Sequence, residues 1–247
     1  MRGNVESLIQ SKLKSGERLH FSLIDPEKAT DLNYLESIAS ELAKAGTDAF
    51  LVGGSAGISE TDIDDVVKVL KQFGKPVILF PGNVSGLSRY ADAVLFMSLL
   101  NSDDPYFIIG AQTLGAPIVA RYGLEPLPTA YIIVGYGGAA GYIGRARPIP
   151  YDRPEIGLAY ALAAEMLGMR YVYLEAGSGA PKPIPPEFIK MVKQGLKKAA
   201  LLIGGGLRNP EDVKKAVEAG ADIIVTGTVI EKNPETAIRI INAIKNK

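Results

Sequence analysis

Short apolar runs alternate with longer stretches of helical periodicity along the whole chain. The strand-like runs are Leu19 to Asp25, Ala49 to Gly53, Val77 to Pro81, Ala93 to Ser98, Thr129 to Gly135, Tyr171 to Glu175, Leu201 to Gly204 and Ile223 to Thr226. Between them, Tyr34 to Ala45, Ile63 to Phe73, Glu155 to Leu167, Glu187 to Leu196, Glu211 to Ala219 and Pro234 to Ile244 carry apolar residues at helical spacing. Asp31, Asn209-Pro210 and Asn233-Pro234 are turn signals ahead of three of these helices. Apolar strands separated by helices imply an α/β fold in which helices cover a parallel sheet, and eight units favour closure into a (β/α)8, or TIM, barrel over an open sheet.

Two connections break the pattern. After the third strand, Gly82 to Tyr90 is short and rich in Gly and Ser, so the third helix should be modified or missing. After the fifth strand, Tyr136 to Tyr151 forms a long loop rich in Gly, Pro and Arg, and a loop of that length is more often functional than idle. A further segment, Pro105 to Ile118, is apolar on more than one face and hints at contacts between subunits.

At 247 residues, 47% of them apolar, the chain has the usual size of one barrel, so a single domain over residues 1–247 is expected. Lys+Arg and Asp+Glu balance at 27 each, which leaves no basic field for nucleic acid or an anionic membrane. Any bound anion must be held locally. The absence of cysteine excludes disulfides, thiolate nucleophiles and thiolate-bound metals, and the single His20 excludes a multi-histidine metal site. Met1 to Ser15 has no signal-peptide core and Ala91 to Leu100 is too short to cross a bilayer, so a cytoplasmic protein without a transmembrane segment is expected.

The chemistry concentrates at the C-terminal ends of the strands, the reactive rim of such a barrel. Three successive strands run into glycine turns: Glu175-Ala176-Gly177-Ser178-Gly179, Gly204-Gly205-Gly206 and Thr226-Gly227-Thr228. Glycine lets backbone N–H groups close on an anion without an intervening side chain, and a helix starting after the turn adds its positive end. Together the turns read as a phosphate cradle. Few rim residues are acidic. Asp25 ends an apolar strand, and strand alternation places Tyr173 and Glu175 on the inward face with Leu174 opposite. Ser55, just past the adjacent second strand, brings a hydroxyl near Asp25. A carboxylate and a hydroxyl with open positions suit Mg2+, although Gly53-Gly54-Ser55 can equally be a plain tight turn. Asp62, Asp64 and Asp65, and likewise Asp103-Asp104, fit helix starts better than a site. His20 reads as structural, and Arg145 and Arg147 as either diphosphate contacts or solvated charges.

The segment Phe21-Ser22-Leu23-Ile24-Asp25-Pro26-Glu27-Lys28, the turn Val52-Gly53-Gly54-Ser55, the run Tyr171 to Gly179, the triple glycine and Val225-Thr226-Gly227-Thr228 together resemble the geranylgeranylglyceryl phosphate synthases over nearly the whole chain. The resemblance implies a prenyltransferase of ether-lipid synthesis. It would join geranylgeranyl diphosphate to sn-glycerol 1-phosphate, with Mg2+ as cofactor and release of diphosphate. Asp25 and Ser55 would take the metal positions and Glu175 that of the base. Tyr173, Leu174, Ala176, Gly177, Ser178, Gly179, Gly204, Gly205, Gly206, Gly227 and Thr228 would take the glycerol phosphate positions. Some relatives carry a lysine where this chain has Leu23, which points to the larger-oligomer branch and a homo-oligomer, dimer or hexamer. A prenyl chain also needs an apolar groove, and Tyr142 in the long loop is the candidate aromatic stop.

Alternatives remain at this stage. A heptaprenylglyceryl phosphate synthase differs only in chain length. A two-carboxylate isomerase would want a second acid at the end of the fifth strand, which reads Ile132-Ile133-Val134-Gly135. A Schiff-base aldolase would want a lysine inside a strand, and none of the expected strands has one. A non-enzymatic phosphate sensor would need neither metal ligand nor base.

Overall fold

The structure is a computed structural model that describes residues 4–54 and 60–245. Its strands are β1 (Leu19–Ile24), β2 (Ala49–Val52), β3 (Val77–Leu79), β4 (Ala93–Leu99), β5 (Glu125–Ile133), β6 (Tyr171–Glu175), β7 (Ala200–Gly204) and β8 (Ile223–Thr226). They pair in parallel in chain order, and β8 returns to β1 with Leu19 opposite Ile223 and Ser22 opposite Thr226. The sheet is a closed barrel. Every strand expected from the sequence is present, within a few residues of the expected limits.

The side chains divide by strand alternation into two layers. Phe21, Leu51, Ile78, Leu95, Tyr131 and Tyr173 fill the barrel interior. Phe50, Val52, Val172 and Leu174 face outward and pack under the helices. Among the helices, α1 (Asn4–Lys14), α2 (Leu32–Ala45) and α3 (Glu60–Leu70) precede the modified region, and α4 (Ala111–Tyr122) follows β4. Next come α5 (Gly138–Ile143), α6 (Pro154–Met166), α7 (Pro186–Gly195), α8 (Pro210–Glu218), α9 (Thr228–Lys232) and α10 (Pro234–Lys245). Asp31 caps α2 by accepting from the amides of Asn33 and Tyr34, and Asn209 caps α8 through the amide of Asp212.

Two elements exceed the sequence reading. The N-terminal segment is a helix whose Val5 and Ile9 plug the bottom of the barrel, and the Glu125 carboxylate caps it by accepting from Val5 N at 2.8 Å and Glu6 N at 3.1 Å. Strand β5 begins at Glu125 instead of Thr129, despite Pro126 and Pro128. Over those residues it pairs only with β4, since pairing with β6 starts at Thr129, so the missing N–H groups face a side without a ladder.

His20 is structural. Fully buried outside the barrel wall, its ring nitrogens meet the hydroxyls of Thr47 at 3.1 Å and Thr226 at 2.9 Å. Burial is the largest influence and holds its pKa down at about 3, although Asp48 pulls the other way.

Candidate active site

The rims of β6, β7 and β8 supply the polar wall of one large cavity, of about 460 Å³, at the C-terminal end of the barrel. Glu175 ends β6 with only 7% of its surface exposed, and its Oε1 accepts from Gly177 N at 2.6 Å. Burial raises its pKa above the usual carboxylate range, opposed by the Gly177 N–H and the Tyr173 hydroxyl, both of which donate to the charged form. A carboxylate so placed is a stronger base than one in water. Beneath it, Phe80, Tyr131 and Tyr173 form an aromatic floor, with Phe80 stacked on Tyr173 at 5.6 Å and Tyr131 edge-on to Tyr173 at 5.2 Å.

Backbone packing explains the glycines. Gly205 has φ +79°, and a Cβ there would lie 2.4 Å from Glu175 Oε1 and 2.6 Å from Gly177 N. Gly177 meets the long β5–α6 loop, where a Cβ would lie 2.4 Å from the carbonyl carbon of Gly137. Gly205 and Gly206 line this end of the cavity with Ser178 and Thr228, whose hydroxyl oxygens lie 3.0 Å apart, while Gly179 lies off the lining. Glycine amides beside two hydroxyls are the kind of wall that can hold an anion without a cation. Because α9 is only five residues long, the local amides carry more of this attraction than any helix dipole does.

Asp25 follows β1, the neighbour of β8 in the closed barrel, and lines the same cavity as Glu175. Its Oδ1 accepts from Glu27 N at 3.2 Å, and its Oδ2 lies 3.5 Å from Lys28 Nζ. Lys28 Nζ also donates to Glu231 Oε2 at 2.9 Å. Among the described residues no group of three or more acidic, His or Cys side chains is placed to hold a metal, so Asp25 would bring one carboxylate to a cation and leave the other positions to water and ligand oxygens. Ser55, the other expected metal residue, lies outside the described residues.

The third wall is apolar. Gly82 to Tyr90 contains no α-helix, only a 3-10 turn at Val84–Gly86, as the sequence suggested. The sheet is therefore uncovered beside β3 and β4, and the cavity extends there as a groove between Val94, Phe96 and Met97 of β4 and Gly115 and Val119 of α4. Tyr106–Gly110, ahead of α4, forms a π-helical turn whose carbonyls are met by side chains: Ser98 Oγ donates to Ile108 O at 2.6 Å and Gln112 Nε2 to Phe107 O at 3.2 Å. Such turns widen a helix locally and recur at functional sites.

The structure brings Asp25, Tyr173, Glu175, Ser178, Gly205, Gly206, Gly227 and Thr228 to one cavity. Other expectations need correction. Leu174 and Ala176 are fully buried between sheet and helices, because alternation turns them away from the barrel axis. Gly204 packs against Tyr173, where a Cβ would lie 2.3 Å from the hydroxyl. Tyr142 is 89% exposed and lies off the cavity; α5 turns Ala139, Ala140 and Ile143 towards it instead. Sequence reading missed Phe80, Tyr131 and the α4 wall. The apolar character of Pro105 to Ile118 was their one available signal.

A model of the PcrB family matches residues 12–245. The chain belongs to this family. Over 245 residues it is 54% identical to the geranylgeranylglyceryl phosphate synthase of Sulfolobus acidocaldarius, covering 99% of this chain and 95% of that protein. Its identity to the enzyme of the same name from Saccharolobus solfataricus is 54% over 247 residues, covering 100% and 96%. It also superposes on the crystal structure of (S)-3-O-geranylgeranylglyceryl phosphate synthase from Thermoplasma acidophilum in complex with sn-glycerol-1-phosphate, with TM-score 0.92, 37% identity and full coverage of both chains. The chain is thus an enzyme, a prenyltransferase of the geranylgeranylglyceryl phosphate synthase family. More distant barrels, such as a thiamine phosphate pyrophosphorylase from Pyrococcus furiosus at TM-score 0.60 and 12% identity, share the fold alone. No helix among the described residues is long and apolar enough to cross a membrane.

Proposed function

We propose that this enzyme forms the first ether bond of archaeal-type membrane lipids, transferring geranylgeranyl from its diphosphate to the C3 hydroxyl of sn-glycerol 1-phosphate. The observation that carries this reading is a buried carboxylate, Glu175, set between the glycine turns of β7 and β8 and an apolar groove in one cavity. The ligand of the Thermoplasma acidophilum structure, an sn-glycerol-1-phosphate on the same fold, supports the choice of acceptor.

In this reading the backbone at Gly205 and Gly206 and the hydroxyls of Ser178 and Thr228 hold the acceptor's phosphate. The groove beside β4 and α4 takes the prenyl chain, each buried methylene contributing about 0.8 kcal/mol. The allylic C–O bond breaks with its electron pair going to the departing diphosphate. The C3 oxygen bonds to the allylic carbon, and its proton passes to Glu175. Holding both reactants in one geometry supplies much of the rate. Asp25 fits a Mg2+ that arrives on diphosphate, since one carboxylate plus phosphate oxygens and water completes its preferred oxygen shell. When bound, the cation would neutralise charge on the leaving group.

The enzyme is further read as a cytoplasmic homo-oligomer, with exposed Ile109 and Leu114 on the α4 side as candidates for subunit contact. The deciding experiment mixes sn-glycerol 1-phosphate with prenyl diphosphates of graded length and Mg2+. Prenylglyceryl phosphate and free diphosphate are expected, most rapidly at C20. A C35 optimum would make the enzyme a heptaprenylglyceryl phosphate synthase, and no product at any length would end the prenyltransfer reading.

A further inference from the structure

The cavity must admit two anionic reactants, yet its described wall carries the carboxylates of Asp25, Glu27, Glu175 and Glu231 and a single cation, Lys28. Of the two anions, the phosphate has its amide cradle on β6 to β8, which needs no cation. The diphosphate carries more charge, and among the described residues no comparable cradle stands on the Asp25 side. Lys28 stands there, 3.5 Å from Asp25 Oδ2 and 2.9 Å from Glu231 Oε2, with about half of its side chain exposed. A tight turn fixes the root of its stem, Lys28 N donating to Asp25 O at 3.0 Å.

We propose that Lys28 is a binding residue for the diphosphate, kept in place by Glu231 in the resting site and transferred to phosphate oxygens when the diphosphate enters. The assignment rests on the prenyltransfer reading. When a cation engages Asp25, that carboxylate no longer holds Lys28, so only Glu231 competes with the diphosphate for the ammonium. Glu231 then limits affinity for the leaving group and favours its departure once the ether bond has formed. In the resting site burial works against the charge of the ammonium, but Glu231 and Asp25 outweigh it and raise its pKa. A lysine serving only to tie α9 to the β1 rim would show the same pair of contacts, and the two roles separate by experiment.

The test measures binding of inorganic pyrophosphate and of sn-glycerol 1-phosphate by calorimetry, in EDTA and in Mg2+, for the wild type, Lys28→Met, Lys28→Arg and Glu231→Gln. Losing a charge-assisted contact should weaken pyrophosphate binding by about tenfold or more in Lys28→Met. Affinity for glycerol phosphate should stay within about twofold, and Lys28→Arg should recover most of the loss. Glu231→Gln should bind pyrophosphate more tightly, by about threefold, because the competitor for the ammonium has gone. Equal weakening in Lys28→Met and Glu231→Gln would reveal a mere tether and overturn the proposal. So would unchanged pyrophosphate binding in Lys28→Met, or a loss confined to glycerol phosphate. A wild type that binds pyrophosphate through Lys28 but makes no prenylated product would overturn the assigned reaction and leave this contact standing.

Discussion

On the β6–β8 side of the cavity backbone presses on backbone, whereas on the β3–β4 side side chains border a groove left open because no α-helix joins β3 to β4. At Gly205 a single methyl would run into Glu175 Oε1 at 2.4 Å; at Gly115 in α4 the nearest atom to an added Cβ is Leu87 Cδ1 at 3.9 Å. The first wall is fixed by geometry that no side chain can replace. The second is set by side-chain volume, which a substitution changes without moving the backbone. Recognition of the phosphate should therefore tolerate almost no variation, while the preferred prenyl length should shift with one or two substitutions in the groove.

The comparison breaks most decisively at the residue between the two walls. Glu175→Gln should lower turnover by about 10² or more while sn-glycerol 1-phosphate still binds, because the groups proposed to hold the phosphate are untouched. Steady-state rates and calorimetry together check this, and unchanged turnover would remove Glu175 as the base. Stability gives an independent reading. Burial raises the pKa of Glu175, so the folded state favours its protonated form, and stability is lost as pH rises from the ordinary carboxylate value through that raised value. Glu175→Gln should then melt above the wild type at pH 7, with the gap shrinking as pH falls through the raised pKa and closed once pH is below the ordinary carboxylate value. Wild-type turnover should lose its base over the same interval, placing the acid limb of its pH profile above the ordinary carboxylate range.

A test of the rigid wall comes next in size. Gly205→Ala forces an L residue into φ +79° and drives its methyl towards Glu175, so glycerol phosphate affinity should fall by roughly thirtyfold. Retained affinity would mean that the amide cradle is more pliable than its contacts indicate. The adaptable wall should respond differently. Gly115→Leu fills the groove beside Val94 and Val119, and turnover on a C20 diphosphate should drop about tenfold relative to a C15 one, with glycerol phosphate affinity unchanged. An equal loss at both lengths would mean that the chain lies elsewhere.

The same contrast governs what could be read from the sequence. The barrel was legible because its signal repeats: eight apolar runs in register with helical stretches leave little choice of fold. The glycine wall was legible because three strands run into glycine turns, and alternation alone turned Tyr173 and Glu175 inward. The groove was not. Phe80, Met97 and Val119 look like ordinary core residues in sequence, and only the absence of a helix over β3 makes them a wall. Helix α1 escaped for a related reason, since its burial rests on just Val5 and Ile9 and on a carboxylate 120 residues away.

Tyr142 carries that difference to its smallest measurable effect. A large aromatic in a long loop at the rim suggested a stop for the prenyl chain, because sequence distance from the fifth strand was the only guide to where the loop goes. The fold sends the short helix α5 across the opening with Ala139, Ala140 and Ile143 facing the cavity, and Tyr142 projects into solvent with 89% of its surface exposed. A residue outside the groove wall cannot limit chain length within its own subunit. Tyr142→Ala should consequently give the wild-type distribution of product lengths, with rates within about twofold. Longer products from this variant, measured beside Gly115→Leu by mass spectrometry, would place the far end of the prenyl chain against α5 and reverse the roles assigned to the two walls.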